Sequence, residues 1–192
     1  WGDIDTRYAK YAEPGHAVSD EIELSGWRGE RVFAQAVVWT DALVEELNFE
    51  VTDLKGKGRH KIESENIKAG FATYVVGDGY FSNGTGCGEW ANEPHRDSVL
   101  VADCIDYYLE RMPLEAKQTQ GIWLTCRIPA DVKPGEYTGK LIVRNGKKVI
   151  GSLSLKVTAQ EDILPEPSDW HFHLDLWQNP YAVARYHQVV PW

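Results

Sequence analysis

Hydrophobic and polar positions alternate most cleanly between Thr119 and Thr158. Ile122, Leu124, Cys126 and Ile128 share one parity, and Trp123, Thr125 and Arg127 share the other. That is the period of a strand with one buried face. Pro129 ends it, having no N–H to give a ladder. After the Pro134-Gly135 turn, Tyr137, Gly139, Leu141 and Val143 fall on one side of a second strand. Val149, Gly151, Leu153, Leu155 and Val157 fall on one side of a third, opposite Ser152, Ser154, Lys156 and Thr158. These three strands are expected to be consecutive in one antiparallel sheet. A two-residue Asn145-Gly146 hairpin would put the two apolar sets on opposite faces, which the period of two forbids. A three-residue loop, Arg144 to Gly146, pairs Leu141 with Val149 and Tyr137 with Leu153 instead, with Gly146 as the left-handed residue.

The rest of the chain must cover that sheet. Ile22 and Leu24 begin a short strand that Gly26 interrupts. Glu30 to Thr40 is apolar on both parities, which suits a central strand covered on both faces. Leu43, Leu47, Phe49 and Val51 form the apolar set of the next strand, and Ile67 to Val76 is strand again. Gly77 to Asp97 loses all periodicity and reads as a long loop carrying Tyr80, Phe81 and Trp90; loops of that length are often functional. Val99 to Met112 is ambiguous, because Leu100, Val101, Cys104, Ile105, Tyr108 and Leu109 also follow a helical period. The fold class expected is all-β, a two-layer antiparallel β-sandwich from Ile22 to Thr158.

The segment Ile163 to Asp169 has the proline-rich, polar composition of a boundary. Beyond it Trp170 to Trp177, WHFHLDLW, reads as a new strand, with too few residues after it to bury so apolar a segment. The organisation expected is a sandwich domain over 1–162, a linker over 163–169, and over 170–192 the first strand and following segment of a truncated second domain.

Composition narrows the function. The chain has 192 residues, 43% hydrophobic and 26% charged, with formal charge −9. No Lys/Arg cluster offers a footprint for nucleic acid or an anionic membrane, and no apolar run approaches the ~20 residues of a membrane span. The chain opens at Trp1 with no export-signal pattern. Three cysteines, Cys87, Cys104 and Cys126, lack metal-site spacing; Cys126 shares the apolar parity of its strand, which suits a buried thiol, and a bridge between two of the three stays open. Eight Trp and nine Tyr suit either a sandwich core or a sugar platform. Among Trp27, Trp39, Trp90 and Trp123, the second sits on the doubly covered strand and reads as core. Trp90, in the loop, and Trp123, beside Thr125 and Arg127, are the platform candidates. His171, His173 and Asp175 alternate and so project to one side of their strand. Zinc would accept such imidazoles, but ligands from other strands are missing, so hydrogen-bonding residues without a metal are expected there.

Four stretches carry a resemblance: GWRGERVFAQAVVWT (26–40), the Cys87-Gly88 pair, IWLTCRIPADVKPGEYTGKLIV (122–143) and FHLDLWQNPYAVARYHQV (172–189). In this order they resemble the N-terminal region of bacterial glycoside hydrolases related to family 123, the β-N-acetylgalactosaminidase-like family, many from gut Bacteroides-type bacteria. The resemblance implies that the tail is the start of a (β/α)₈ barrel whose remainder is missing from this chain. It also implies a glycan substrate containing N-acetyl-hexosamine, a periplasmic or extracellular location, and no cofactor or metal. The partners it implies are carbohydrate and the chain's own C-terminal barrel domain. Family catalysis is similar to substrate-assisted hydrolysis helped by an Asp–Glu pair on a later barrel strand. Asp20-Glu21, Glu45-Glu46 and Glu161-Asp162 stand in other contexts, so no catalytic residue carries over. His173, Asp175, Trp177 and Trp90 are the substrate-binding residues expected in the parent enzyme, because barrel active sites gather at the C-terminal ends of strands. The alternative is a free-standing carbohydrate-binding module using exposed Trp side chains.

Overall fold

The computed structural model describes residues 1–15, 19–77, 99–171 and 179–190. Its strands are β1 (Glu21–Arg28), β2 (Arg31–Trp39), β3 (Val44–Val51), β4 (Leu54–Lys55), β5 (Lys61–Ile62), β6 (Ile67–Gly77), β7 (Val99–Asp106), β8 (Met112–Leu114), β9 (Thr119–Arg127), β10 (Gly135–Asn145) and β11 (Lys148–Ile163). One helix, α1 (Pro180–His187), follows, with Asn179 accepting from the backbone N–H groups of Tyr181 and Ala182 at its start. The strands form two sheets. The larger runs β1-β11-β10-β3-β8, with β4 and β5 attached beside β10, and the smaller runs β2-β9-β6-β7. The expected two-layer sandwich is therefore present.

Alternation identified the inward side chains of β9 correctly but did not say which sheet they belong to. Ile122, Leu124, Cys126 and Ile128 are all buried, yet β9 pairs with β2 and β6 rather than with β10. The segment after Arg127 crosses from one sheet to the other, with the Ile128 N–H held by the Glu30 carbonyl at 2.8 Å. The three strands expected in one sheet are thus split between two. A strand carries one apolar face whichever layer it joins, so nothing in its own pattern reveals the crossing.

The β10–β11 hairpin also departs from expectation. Asn145 pairs with Lys148 and Arg144 with Val149, but Val143 pairs with Gly151. The loop is therefore the two residues Gly146 and Lys147, and Ile150 is an extra residue in β11. This bulge restores the parity that a two-residue loop would have broken. Leu141 meets Leu153 and Tyr137 meets Val157 on the inner face, while Val149 is left exposed. Gly146 does adopt the left-handed conformation, at φ +57°.

Four smaller corrections have similar causes. Val99–Asp106 is strand, not helix; its register against β6 shifts between Thr73 and Tyr74, leaving Asp103 extra. A bulge interrupts alternation, so the apolar residues on either side took on a helix-like spacing. β2 is an edge strand, covered on its outer side by the N-terminal segment through a Gly2–Gln35 bridge. β1 runs through Gly26 and pairs parallel to β11, so the sandwich is not wholly antiparallel. Val44 is buried and Leu43 is exposed, the reverse of the expected parity, because β3 shifts register against β8 between Val44 and Leu47.

The core lies between the sheets. Val32, Ala34 and Ala36 from β2 and Phe71 from β6 face Leu47, Leu141, Leu155 and Val157 from the larger sheet. Two buried polar side chains near it are satisfied. The Gln120 amide donates to the Ala72 and Gly121 carbonyls at 2.7 and 2.8 Å, and the Tyr137 hydroxyl donates to the Lys133 carbonyl at 2.7 Å.

Candidate functional site

The outer face of the smaller sheet is set by the parity opposite to the core. Phe33 stands across from Thr125, and Gln35 stands across from Trp123. On the other side of β9, Trp123 is paired with Gly70. The Phe33 and Trp123 rings meet with centroids 6.0 Å apart and planes at 39°. Just beyond β7, the Tyr107 hydroxyl comes within 3.4 Å of the Thr125 hydroxyl. Gly70 permits this approach, since a Cβ there would lie 2.9 Å from the Tyr107 ring and 2.7 Å from the Asp106 carbonyl oxygen. Three aromatic rings thus surround Thr125, and Phe33 and Tyr107 remain 42% and 44% exposed. That much open aromatic surface is unneeded for a fold whose core is already closed.

A cleft of about 350 Å³ opens beside Trp123. Ala72 and Ala102 leave room at its floor because they offer little side chain, and residues 4–7 form the opposite wall. Gln35 fixes that wall. Its amide donates to the carbonyls of Asp3 and Thr6 at 2.8 and 3.0 Å, while the Gly2 N–H donates to its backbone carbonyl at 2.8 Å. Two tyrosines hold the segment further along. The Tyr8 hydroxyl accepts from the Asp3 N–H at 2.8 Å, and the Tyr74 hydroxyl lies 3.1 Å from the Tyr8 carbonyl and 2.9 Å from that of Thr119. Burial pushes the Tyr74 phenol up to about 12, so it stays a donor. Asp5, Arg7 and Asp103 also line the cleft, with Arg7 3.6 Å from Asp103 and both half-exposed.

Two other depressions differ in character. A groove of about 740 Å³ crosses the outer face of the larger sheet, and several of its charged side chains are paired. Lys156 sits 2.8 Å from Glu136 and 3.2 Å from Glu23. The Ser64 N–H and Lys61 hold the Asp53 carboxyl below its usual range. The second, about 340 Å³, is an apolar slot lined by Val38, Trp39, Val143 and Leu153. The cleft at Trp123 combines an aromatic wall with polar groups, the mixture that small-molecule sites present.

Of the residues singled out from sequence, Trp123 lies in this cleft. Trp39 is half-buried with the Lys117 ammonium 5.0 Å from its ring centre, and Trp27 is exposed at the end of β1. His173, Asp175, Trp177 and Trp90 lie outside the described residues, as do Cys87 and all of the expected Gly77–Asp97 loop except Gly77. Among the described residues no three His, Cys, Asp or Glu side chains gather as a metal would require, and no helix is long and apolar enough to cross a membrane. Sequence reasoning missed Phe33, which it placed on a doubly covered strand. It also missed Arg7, in the irregular N-terminal segment, and Asp103 and Tyr107, in the segment whose period was ambiguous between strand and helix.

Residues 1–145 match the family described as "Glycoside hydrolase 123 N-terminal domain". Among solved structures, a family 123 glycoside hydrolase from Clostridium perfringens, studied for glycolipid glycan hydrolysis, superposes with a TM-score of 0.73 at 20% identity. That likeness covers 88% of this chain and only 28% of the clostridial one. The N-terminal domain of PorA (TM-score 0.34, 4% identity, 81% of this chain and 92% of that one) and a PapD-like domain of human CEP192 (0.35, 12%, 84% and 98%) match more loosely. No curated protein matches the chain.

Proposed function

Since the chain belongs to the glycoside hydrolase 123 N-terminal domain family, we propose that it is the non-catalytic β-sandwich module of a bacterial glycoside hydrolase. In this reading a (β/α)₈ barrel that follows it performs the chemistry. The observation that carries the proposal is the family match over residues 1–145. The chain also spans only 28% of the clostridial hydrolase that shares its fold, which leaves room for a catalytic domain.

The proposed division is a sandwich over 1–162, a linker over 163–169 and the first barrel strand with its following segment over 170–192. Local structure supports it. β11 runs to Ile163, and the proline-rich segment after it makes a single 3₁₀ turn at Pro167–Asp169. Arg28 fixes the exit from the sandwich: its guanidinium donates to the Glu161 carbonyl at 2.7 Å, and its backbone carbonyl accepts from the Leu164 N–H at 2.8 Å.

The substrate proposed is a glycan containing N-acetyl-hexosamine, met outside the cytoplasm, in the periplasm or beyond the cell. His173, Asp175 and Trp177 would point toward it from the substrate end of the first barrel strand, with Trp90 contributing from the sandwich. Trp177 would stack on a sugar face and Asp175 would accept a hydroxyl hydrogen bond. The test uses a protein extended through the residues that follow Trp192. It should hydrolyse aryl N-acetyl-β-hexosaminides, and Trp177→Ala or Asp175→Asn should lower kcat/KM at least about tenfold, the loss of one well-placed contact. An extended protein with no glycosidase activity on such substrates, or one indifferent to both changes, would overturn the reading.

A further inference from the structure

We infer that the cleft beside Trp123 is a binding site for one pyranose unit of a glycan. The ligand class rests on the glycan-acting reading above; the site itself rests on geometry. A pyranose ring has an apolar C–H face and an equatorial rim of hydroxyls. It therefore needs a flat apolar wall with polar groups around it, and the cleft provides both. Trp123 forms the wall and is extended on one side by Phe33 at 6.0 Å. The small side chains of Ala72 and Ala102 leave depth at the floor, and Asp5, Arg7 and Asp103 supply acceptors and donors at the other side.

Two independent features show that the cleft is built rather than incidental. The first is the bulge at Asp103, where β7 loses register against β6. Bulges re-aim side chains, and here the extra residue is the one that lines the cleft and meets Arg7 at 3.6 Å. The second is Gln35, a nearly buried polar side chain whose two amide donations go to the N-terminal wall. A buried amide spent on holding a surface segment fixes the cleft's width. The mixed charge at the rim favours a neutral sugar over a polyanion.

Saturation-transfer NMR on the 192-residue chain tests this, with the methyl glycosides of galactose, glucose, N-acetylgalactosamine and N-acetylglucosamine as probes at millimolar concentration. Transfer to the ring C–H protons of at least one probe is expected. Trp123→Ala should weaken it about tenfold, while Trp27→Ala, at an exposed aromatic outside the cleft, should leave it unchanged. Should Trp123→Ala fail to fold, Arg7→Ala and Asp103→Asn replace it, each expected to weaken binding about threefold at the half-exposed rim. No transfer to any probe, or transfer undiminished by the cleft variants, overturns the site. If the extended protein still hydrolyses aryl hexosaminides in that case, the sugar site alone falls. If it hydrolyses none, the glycosidase reading falls with it.

Discussion

Phe49 and Phe71, one from each sheet, meet edge to face across the core with ring centroids 4.9 Å apart and planes at 70°. This is the geometry aromatic pairs favour, and it joins the two layers directly. Phe71 is fully buried, whereas Phe49 is only partly so. Phe71→Ala should therefore destabilise the sandwich by about 3–5 kcal/mol, and Phe49→Ala should cost less. Denaturant titration of the two variants checks this; equal and small losses would show that the sheets are held together elsewhere.

The β10–β11 turn depends on Gly146, whose φ of +57° is a left-handed conformation and whose N–H donates to the Glu46 carbonyl at 2.8 Å. A side chain there costs about 1–2 kcal/mol. Gly146→Ala should lower stability by that amount, and Gly146→Asn by less, because asparagine tolerates this region. If the two variants were equally stable with wild type, the turn geometry would be wrong.

Stability should fall in alkaline solution. Burial pushes the Cys126 thiol from an ordinary 9.0, and the Tyr74 phenol from an ordinary 10.0, up to about 12 each. Between those values the unfolded chain loses both protons while the folded chain keeps them. The unfolded state is then favoured as pH rises. The contribution is complete below about pH 9 and is lost as pH climbs toward 12. The urea midpoint should decline across that window, and less steeply in Cys126→Ala. A midpoint flat from pH 8 to pH 11, values chosen to bracket roughly the start of this window, would contradict the burial of both groups.

Much of the fold was visible in local pattern. The inward sets of β9 and β10, and that of β11 from Gly151 onward, were read correctly, down to Cys126 and Tyr137, because a period of two survives wherever one face is dry. Pattern fails where an extra residue resets the count, as at Ile150 and Asp103, and where partners are chosen at long range. The crossing of β9 into the smaller sheet depends on partners 49 to 96 positions away, and the parallel pairing of β1 with β11 on residues more than a hundred positions apart. The site was half legible. Trp123 stood out because an aromatic ring shared a parity with Thr125 and Arg127. Phe33 did not, because an edge strand whose outer side is partly covered shows the same two-sided apolarity as a central one. Arg7 reaches the cleft only because Gln35 pins the segment that carries it, and no sequence period records that hydrogen bond.

The most direct test of the central claim is hydrolysis of aryl N-acetyl-β-galactosaminide and -glucosaminide by residues 1–192 alone, beside the extended protein. Glycoside hydrolysis takes carboxyl groups placed on either side of the scissile bond or a substrate group acting for one of them, and in the proposed reading the barrel supplies them. Turnover by the extended protein and none by the 192-residue chain is the predicted result. Turnover by the chain alone that disappears when one of its own carboxylates is replaced would contradict the assignment of this sandwich as a non-catalytic module.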